Sequence, residues 1–176
     1  MTEDRWNAFV TRVEPSGEAR DGPLAGRTLG VKDLFDTAGV RTTYGSGLYA
    51  DHVPERTAPT VQRLLDAGAV LFGKTHLPEF AWSVMGQSPW HGTCHNPAAP
   101  GKTTGGSSSG SAAALAAGLC DLALGTDTGC SVRLPSAACE TVGLKSQWGL
   151  IPLDGVYPLC PTLDTVGPMA RSVEDV

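Results

Sequence analysis

The stretch SAAALAAG, residues 111–118, restricts the architecture most, because it predicts a helix built almost wholly of small side chains. No bulky side chain holds such a helix away from its neighbour, so it can lie unusually close to a sheet. The apolar stretch DLALGTD (121–127) follows almost at once and predicts a buried strand. A helix and a strand placed in this way favour a layered α/β domain.

The rest of the chain repeats this alternation of strands and helices. A short apolar strand is predicted over 29–31, and it ends at Lys32. Residues 57–68 predict a helix that Thr57 caps, with Pro59 in its first turn. Further strands are predicted over 69–72 and 141–145.

The two ends of the chain carry weaker signals. Residues 1–20 predict a short helix followed by a loop, and residues 146–168 predict a loop broken by proline and glycine. Ser172 and Asp175 resemble a capping box at the start of a helix. We therefore expect that residues 21–176 form the amino-terminal catalytic portion of a longer domain.

Charge and cysteine content narrow the class of protein. The formal net charge is −5 and no basic cluster is present, which argues against nucleic acid or an anionic membrane as a direct partner. No apolar run approaches the ~20 residues of a membrane span, and the first ten residues lack the pattern of a secretion signal. The five cysteines show no CxxC spacing, which favours free thiols and a cytoplasmic location.

Three separate stretches carry the chemistry: GVKD around Lys32, TTGGSSSGSAA around Ser107 and GTDTGCSVR around Ser131. Lys32 and Ser107 are 75 residues apart, and Ser131 follows 24 residues later. Together the stretches resemble the amidase signature family, in its stand-alone amidase type, from about residue 22 to residue 176. That family hydrolyses carbon–nitrogen amide bonds with a Ser–Ser–Lys triad.

The resemblance implies a role for each matching residue. Ser131 would be the nucleophile, Ser107 the bridging serine after a cis Gly106–Ser107 peptide bond, and Lys32 the base. The backbone N–H groups of an oxyanion hole would come from Thr128, Gly129, Cys130 and Ser131. The supporting residues would be Gly106, Ser108, Asp127 and Arg133. The family implies no cofactor and no metal.

Elementary chemistry agrees with these roles. A serine hydroxyl is a poor nucleophile until a base takes its proton. Lysine can be that base only when it is neutral, and burial favours the neutral form. Lys32 lies among apolar residues, but the carboxylate of Asp33 is next to it and would favour the charged form. The scheme therefore requires Asp33 to point away from Lys32.

Several residues have competing interpretations. Cys130 stands where glycine is commoner in the family, and it would be strained if that position required a positive φ. We interpret Ser108 and Ser109 as helix N-cap residues rather than catalytic ones. We assign the four histidines to loop or surface hydrogen bonding, and the HxxxH spacing of His91 and His95 does not lead us to predict a metal site.

The expected fold is an α/β/α sandwich with a mixed central sheet and helices on both faces. The expected activity is hydrolysis of a small-molecule amide through an acyl-enzyme. We expect either a homodimer or a complementary polypeptide that completes the domain. Two alternatives stay open: the glutaminase component of a tRNA-dependent amidotransferase, and an inactive fragment that acts by protein contacts. Residues 149–168 look more like stand-alone amidases than that glutaminase.

Overall fold

A six-stranded mixed sheet forms the centre of the computed structural model, which describes residues 3–14 and 21–176. The strands are β1 (Phe9–Arg12), β2 (Thr28–Lys32), β3 (Val70–Thr75), β6 (Leu122–Asp127), β7 (Val142–Gly143) and β8 (Thr165–Ala170), in the spatial order β1-β3-β2-β6-β8-β7. β2 runs parallel to β3 and β6, whereas β1, β8 and β7 join by antiparallel pairing. A separate two-stranded ribbon pairs β4 (Gln87–Ser88) with β5 (Gly92–Thr93).

Helices cover both faces of the sheet, as expected for an α/β sandwich. On one face α1 (Pro59–Asp66) packs against a cluster of larger side chains that includes Leu29, Val31 and Leu124. On the other face lie α2 (Ser109–Ala116) and α3 (Arg133–Ala138), in a cluster with Phe9, Ala123 and Met169. The predicted α/β class, with a mixed central sheet and helices on both of its faces, is confirmed.

The small-residue helix α2 lies close to its neighbours, as its composition predicts. A Cβ atom at Gly110 would lie 2.2 Å from the Ala8 carbonyl oxygen and 2.2 Å from the His76 nitrogen. On the facing strand, a Cβ atom at Gly125 would lie 2.6 Å from Ser108 Oγ. Small residues on both layers therefore allow the backbone that leads into α2 to approach β6 closely.

Three local predictions are wrong. Residues 9–12 form β1 rather than a helix, because Phe9 pairs with Thr75 and joins the core at the edge of the sheet. Residues 3–8 and 13–14 form turns and loop, and residues 1–2 and 15–20 of the predicted helix and loop lie outside the described residues. Thr57 does not cap α1, since its Oγ1 accepts a hydrogen bond from the Ala38 nitrogen instead and Ala58 is the N-cap residue. The third wrong prediction is the end of the loop over 146–168, because residues 165–168 belong to strand β8.

Pro168 explains why the sequence pattern hides β8 and why the strand nevertheless forms. Leu144 donates its N–H to the Pro168 carbonyl, so the hydrogen-bonding side of Pro168 faces residues 142–144. In a strand the N–H and C=O of one residue point to the same neighbour, so the ladder between β8 and β6 does not require the N–H that proline lacks. Pro168 can therefore lie in a strand that has β6 on one side and β7 on the other.

The carboxyl end of the chain forms no helix. Ser172 Oγ donates to Asp175 Oδ2 over 3.1 Å, and the residues around them form bends and turns.

None of the helices in the described ranges is long and apolar enough to cross a membrane. All five cysteines are free thiols.

Candidate active site

Lys32 ends β2 with its side chain fully buried between two hydroxyl groups. Its Nζ lies 2.7 Å from Ser107 Oγ and 2.7 Å from Thr126 Oγ1. β6 supplies Thr126, and the segment before α2 supplies Ser107, so the close packing of α2 on the sheet creates this contact. The structure thus brings together Lys32 and Ser107, which are 75 residues apart in the chain.

Burial determines the protonation of Lys32. Removal of the ammonium from water lowers the pKa of Lys32 from 10.5 to about 7, although the nearby charges of Asp127 and Asp164 act in the opposite direction. The neutral amine is therefore present in a substantial fraction at a pH near 7. A neutral amine in hydrogen-bonding contact with a hydroxyl is a general base.

Ser107 lies at a tightly packed bend of the backbone. The Gly106–Ser107 peptide bond is cis, the arrangement that the resemblance implies. A Cβ atom at Gly106 would lie 3.1 Å from the Met85 carbonyl oxygen and 3.2 Å from that of Ser83. Glycine at 106 allows the chain to pass this close to the residues that line the cleft described below.

The loop between β6 and α3 presents four backbone N–H groups in a row. Within residues 3–14 and 21–176, the N–H groups of Thr128, Gly129, Cys130 and Ser131 donate no hydrogen bond to another residue. The loop is nonetheless fixed at both ends. Thr128 Oγ1 donates to Asp164 over 2.5 Å, and the Ser131 carbonyl accepts from the Ser108 nitrogen over 3.1 Å.

An ion pair also anchors this loop. Arg133 donates from Nη2 to Asp127 Oδ1 over 2.9 Å and from Nε to Oδ2 over 3.0 Å. The same guanidinium donates to the Gly129 carbonyl. Burial alone would raise the pKa of Asp127, but hydrogen bonds from Arg133 and from the N–H groups of Val132 and Arg133 outweigh it and lower the pKa. The buried Asp127 carboxylate thus orders the loop through the Arg133 guanidinium, which also holds the Gly129 carbonyl.

Ser131 faces a cleft of about 420 Å³ together with the three residues before it. The opposite wall consists of Ala81, Trp82, Ser83, Val84 and Leu159. Among the described residues the Ser131 hydroxyl forms no hydrogen bond, to Ser107 or to any other group. Ser131 therefore lines the cleft, whereas Ser107 and Lys32 lie fully buried behind it.

The structure bears on the expectations for two neighbouring residues. Ser108 is the N-cap residue of α2 but makes no side-chain cap bond, because its Oγ bonds the Thr126 backbone. Cys130 does not have a positive φ, so the cysteine causes no backbone strain of that kind.

Two of the histidines form loop hydrogen bonds. His91 Nε2 contacts Thr43 Oγ1 at 3.0 Å, and the His95 backbone nitrogen donates to the Trp6 carbonyl.

Sequence reasoning missed a second buried lysine. Lys74 on β3 is fully buried, and its Nζ lies 3.4 Å from Asp33 Oδ1. Asp33 thus points toward Lys74 and away from Lys32, which is the orientation that the proposed chemistry requires. No local signal in the sequence marks this arrangement, because Lys74 lies two residues beyond the predicted strand over 69–72.

Comparison with known proteins identifies the family of this chain. The family model described as Amidase matches residues 6–176. The chain belongs to the amidase family. The match covers the central sheet from β1 to β8, together with the Lys32 and Ser107 segments and the 128–131 loop.

Individual relatives of this amidase chain include proteins of two kinds. It is 49% identical over 174 residues to the glutamyl-tRNA(Gln) amidotransferase A-type subunit of Haloarcula marismortui, covering 99% of the chain and 40% of that relative. It is 44% identical over 171 residues to Amidase 1 of Oryza sativa subsp. japonica, covering 96% of the chain and 39% of that relative. The native peptide amidase of Stenotrophomonas maltophilia superposes with a TM-score of 0.89 at 39% identity, covering 99% of the chain and 39% of that structure. The chain thus spans about 40% of the length of the curated relatives it matches.

Proposed function

We propose that this chain carries the catalytic centre of an amide hydrolase that cleaves a non-peptide carbon–nitrogen bond in a small molecule. Ser131 is the nucleophile, Ser107 the bridging serine and Lys32 the base. The observation that carries the proposal is the contact of 2.7 Å between a fully buried Lys32 Nζ and Ser107 Oγ. Ser131 lines the cleft, and its carbonyl accepts a hydrogen bond from the N–H of Ser108, the residue after Ser107.

The proposed path of the proton runs from Ser131 through Ser107 to Lys32. The contact between Ser107 and Lys32 is present in the structure, and the first transfer requires the Ser131 hydroxyl to turn into hydrogen-bonding contact with Ser107. Ser131 Oγ attacks the carbonyl carbon, its proton passes to Ser107 Oγ, and the Ser107 proton passes to neutral Lys32. When the tetrahedral intermediate collapses, the carbon–nitrogen bond breaks, Ser107 donates a proton to the leaving nitrogen, and Lys32 returns its proton to Ser107. The products of this half-reaction are an acyl-enzyme and ammonia or an amine. Water then repeats the sequence and releases the acid.

The 128–131 loop supplies charge stabilisation in this scheme. The tetrahedral intermediate carries a negative oxygen, and backbone N–H groups without an acceptor of their own can donate to it. Loss of one such donor typically costs about 10²–10³ in rate. The ion pair of Asp127 and Arg133 holds the loop in place. Gly106 allows the close packing of the bend at Ser107, and Ser108 joins that bend to β6.

Labelling with a fluorophosphonate tests the proposed nucleophile. The reagent should modify the wild-type chain once, and Ser131→Ala should abolish the modification. Ser136→Ala is the matched control, because Ser136 is also a buried serine near this loop but, unlike Ser131, it does not line the cleft. Equal labelling of the wild type and Ser131→Ala would refute the assignment.

A second candidate function is glutamine hydrolysis as the glutaminase component, the A-type subunit, of a tRNA-dependent amidotransferase. It is supported by the 49% identity to the Haloarcula marismortui protein of that name. Release of ammonia from glutamine only in the presence of partner subunits would favour this candidate. Release of ammonia or an amine from simple amides without such subunits would favour the stand-alone amidase.

The remaining alternative is a chain that binds another polypeptide without catalysis. A homodimer or a complementary polypeptide that completes the domain is part of our proposal, since the chain spans about 40% of its relatives. Activity restored by such a polypeptide supports the enzyme. Binding that leaves Ser131 unlabelled in the assembled complex supports the inactive fragment. The five free thiols support a cytoplasmic location for either form.

A further inference from the structure

Two neighbouring strands each carry one fully buried lysine. Register pairs Val31 with Lys74 and Lys32 with Thr75. Paired residues on adjacent strands share a face and successive residues alternate, so Lys32 and Lys74 project to opposite faces of the sheet. Lys32 reaches toward the segment before α2, whereas Lys74 reaches the face that carries Val31.

Lys74 is held by three oxygen atoms. Its Nζ donates to the Phe35 carbonyl over 2.5 Å and to Thr42 Oγ1 over 2.6 Å, and it lies 3.4 Å from Asp33 Oδ1. Burial lowers the pKa of Lys74 to about 8, and the charge of Asp33 partly offsets that effect. At a pH near 7 Lys74 is therefore largely protonated and forms an ion pair with Asp33.

Asp33 is the residue next to Lys32, and its carboxylate is fully buried. One oxygen, Oδ2, accepts from the Thr43 nitrogen over 2.9 Å and from Thr43 Oγ1 over 2.6 Å. The other oxygen, Oδ1, has no hydrogen bond within the described part of the chain and faces Lys74. Thr43 therefore holds Oδ2 by two hydrogen bonds, and Lys74 is the cation that faces Oδ1.

We propose that Lys74 is a positioning residue for the reaction: it holds the Asp33 carboxylate on the face of the sheet opposite Lys32 and neutralises its charge, so that Lys32 can act as a neutral base. The inference rests on the proposed function of Lys32. Without Lys74, a buried negative charge would lie one residue from the base. That charge would favour the ammonium form of Lys32 and lower the fraction of neutral base at a pH near 7.

The other charged groups around both lysines are fixed by the same packing. Asp127 and Asp164 act on Lys32, and Asp36 acts on Lys74. His91 reaches Asp33 through Thr43 and Tyr44 bonds Asp36. The variants below leave all of these groups in place, so they isolate the Asp33–Lys74 pair.

The test measures the protonation of Lys32 directly. The chain has four lysines, Lys32, Lys74, Lys102 and Lys145. A sample with ¹³C at lysine Cε therefore gives four signals, which single Lys→Met variants assign. Titration of these signals by NMR gives the pKa of Lys32 in the wild type, Lys74→Met, Lys74→Gln and the double variant Asp33→Asn/Lys74→Met. Lys74→Gln retains a donor for the Phe35 carbonyl and provides a second folded variant.

We expect the pKa of Lys32 to rise by about 1 in Lys74→Met and Lys74→Gln. In the double variant, which has lost both charges, the pKa should return to the wild-type value. A folded Lys74 variant with an unchanged Lys32 pKa overturns the proposal. A raised pKa in the double variant also overturns it, because the rise would then not come from Asp33. Since this readout does not require turnover, it is separate from the Ser131 labelling test of the proposed function.

Discussion

The pH dependence of Ser131 labelling follows from the burial of Lys32. Only the neutral amine can accept the proton, and burial places the pKa of Lys32 at about 7. Between pH 6 and pH 8 the neutral fraction then rises from about 9% to about 91%, so the rate of fluorophosphonate labelling should rise about tenfold and level off. With the ordinary lysine pKa of 10.5, the neutral fraction at pH 7 would be about 0.03%.

The assay is the initial rate of covalent modification at a series of pH values, measured by intact-protein mass spectrometry. Lys32→Met is the control, and its residual rate should lose the rise centred near pH 7. A wild-type rate that continues to increase tenfold per pH unit up to pH 10 would refute the reasoning, because Lys32 would then titrate as an exposed lysine does. A rate independent of pH would show that no group of this pKa assists the nucleophile.

Three further substitutions test the loop and the packing. Cys130→Gly should retain labelling within about threefold, since the nucleophile is Ser131; loss of all labelling in this variant alone would assign the nucleophile to the thiol. Arg133→Met should slow labelling about 10-fold or more, because the loop loses the side chain that fixes it, and an unchanged rate would contradict that role. Gly110→Ala should destabilise the fold by about 3 kcal/mol and lower the Tm by about 6–12 °C. Gly129→Ala is its control in thermal denaturation, because a Cβ atom there meets nothing within 4 Å.

The layered fold could be predicted because its main signals are local. The small-residue helix, the helix at α1 and the buried strand β6 each show in their own stretch of sequence. β1 and β8 could not be predicted in the same way. β1 has four residues with a single buried one, Phe9, and its position depends on pairing with β3. β8 contains Pro168, whose place in a strand depends on which neighbour it faces.

The site shows the same division between local and distant information. The motifs around Lys32, Ser107 and Ser131 stand out in the sequence, and their resemblance to one family indicates that they meet. The Asp33–Lys74 pair has no local signature, because it depends on the register of β2 against β3 and on which face each side chain takes. A one-residue change in that register would place Lys74 on the face of Lys32.

A crystal structure of the fluorophosphonate adduct tests the central assignment most directly. The account predicts that phosphorus is bonded to Ser131 Oγ, that the phosphonyl oxygen accepts hydrogen bonds from N–H groups of residues 128–131, and that Lys32 Nζ remains in contact with Ser107 Oγ. An adduct on Cys130 or on Ser107, or one whose phosphonyl oxygen points away from the loop, would contradict it.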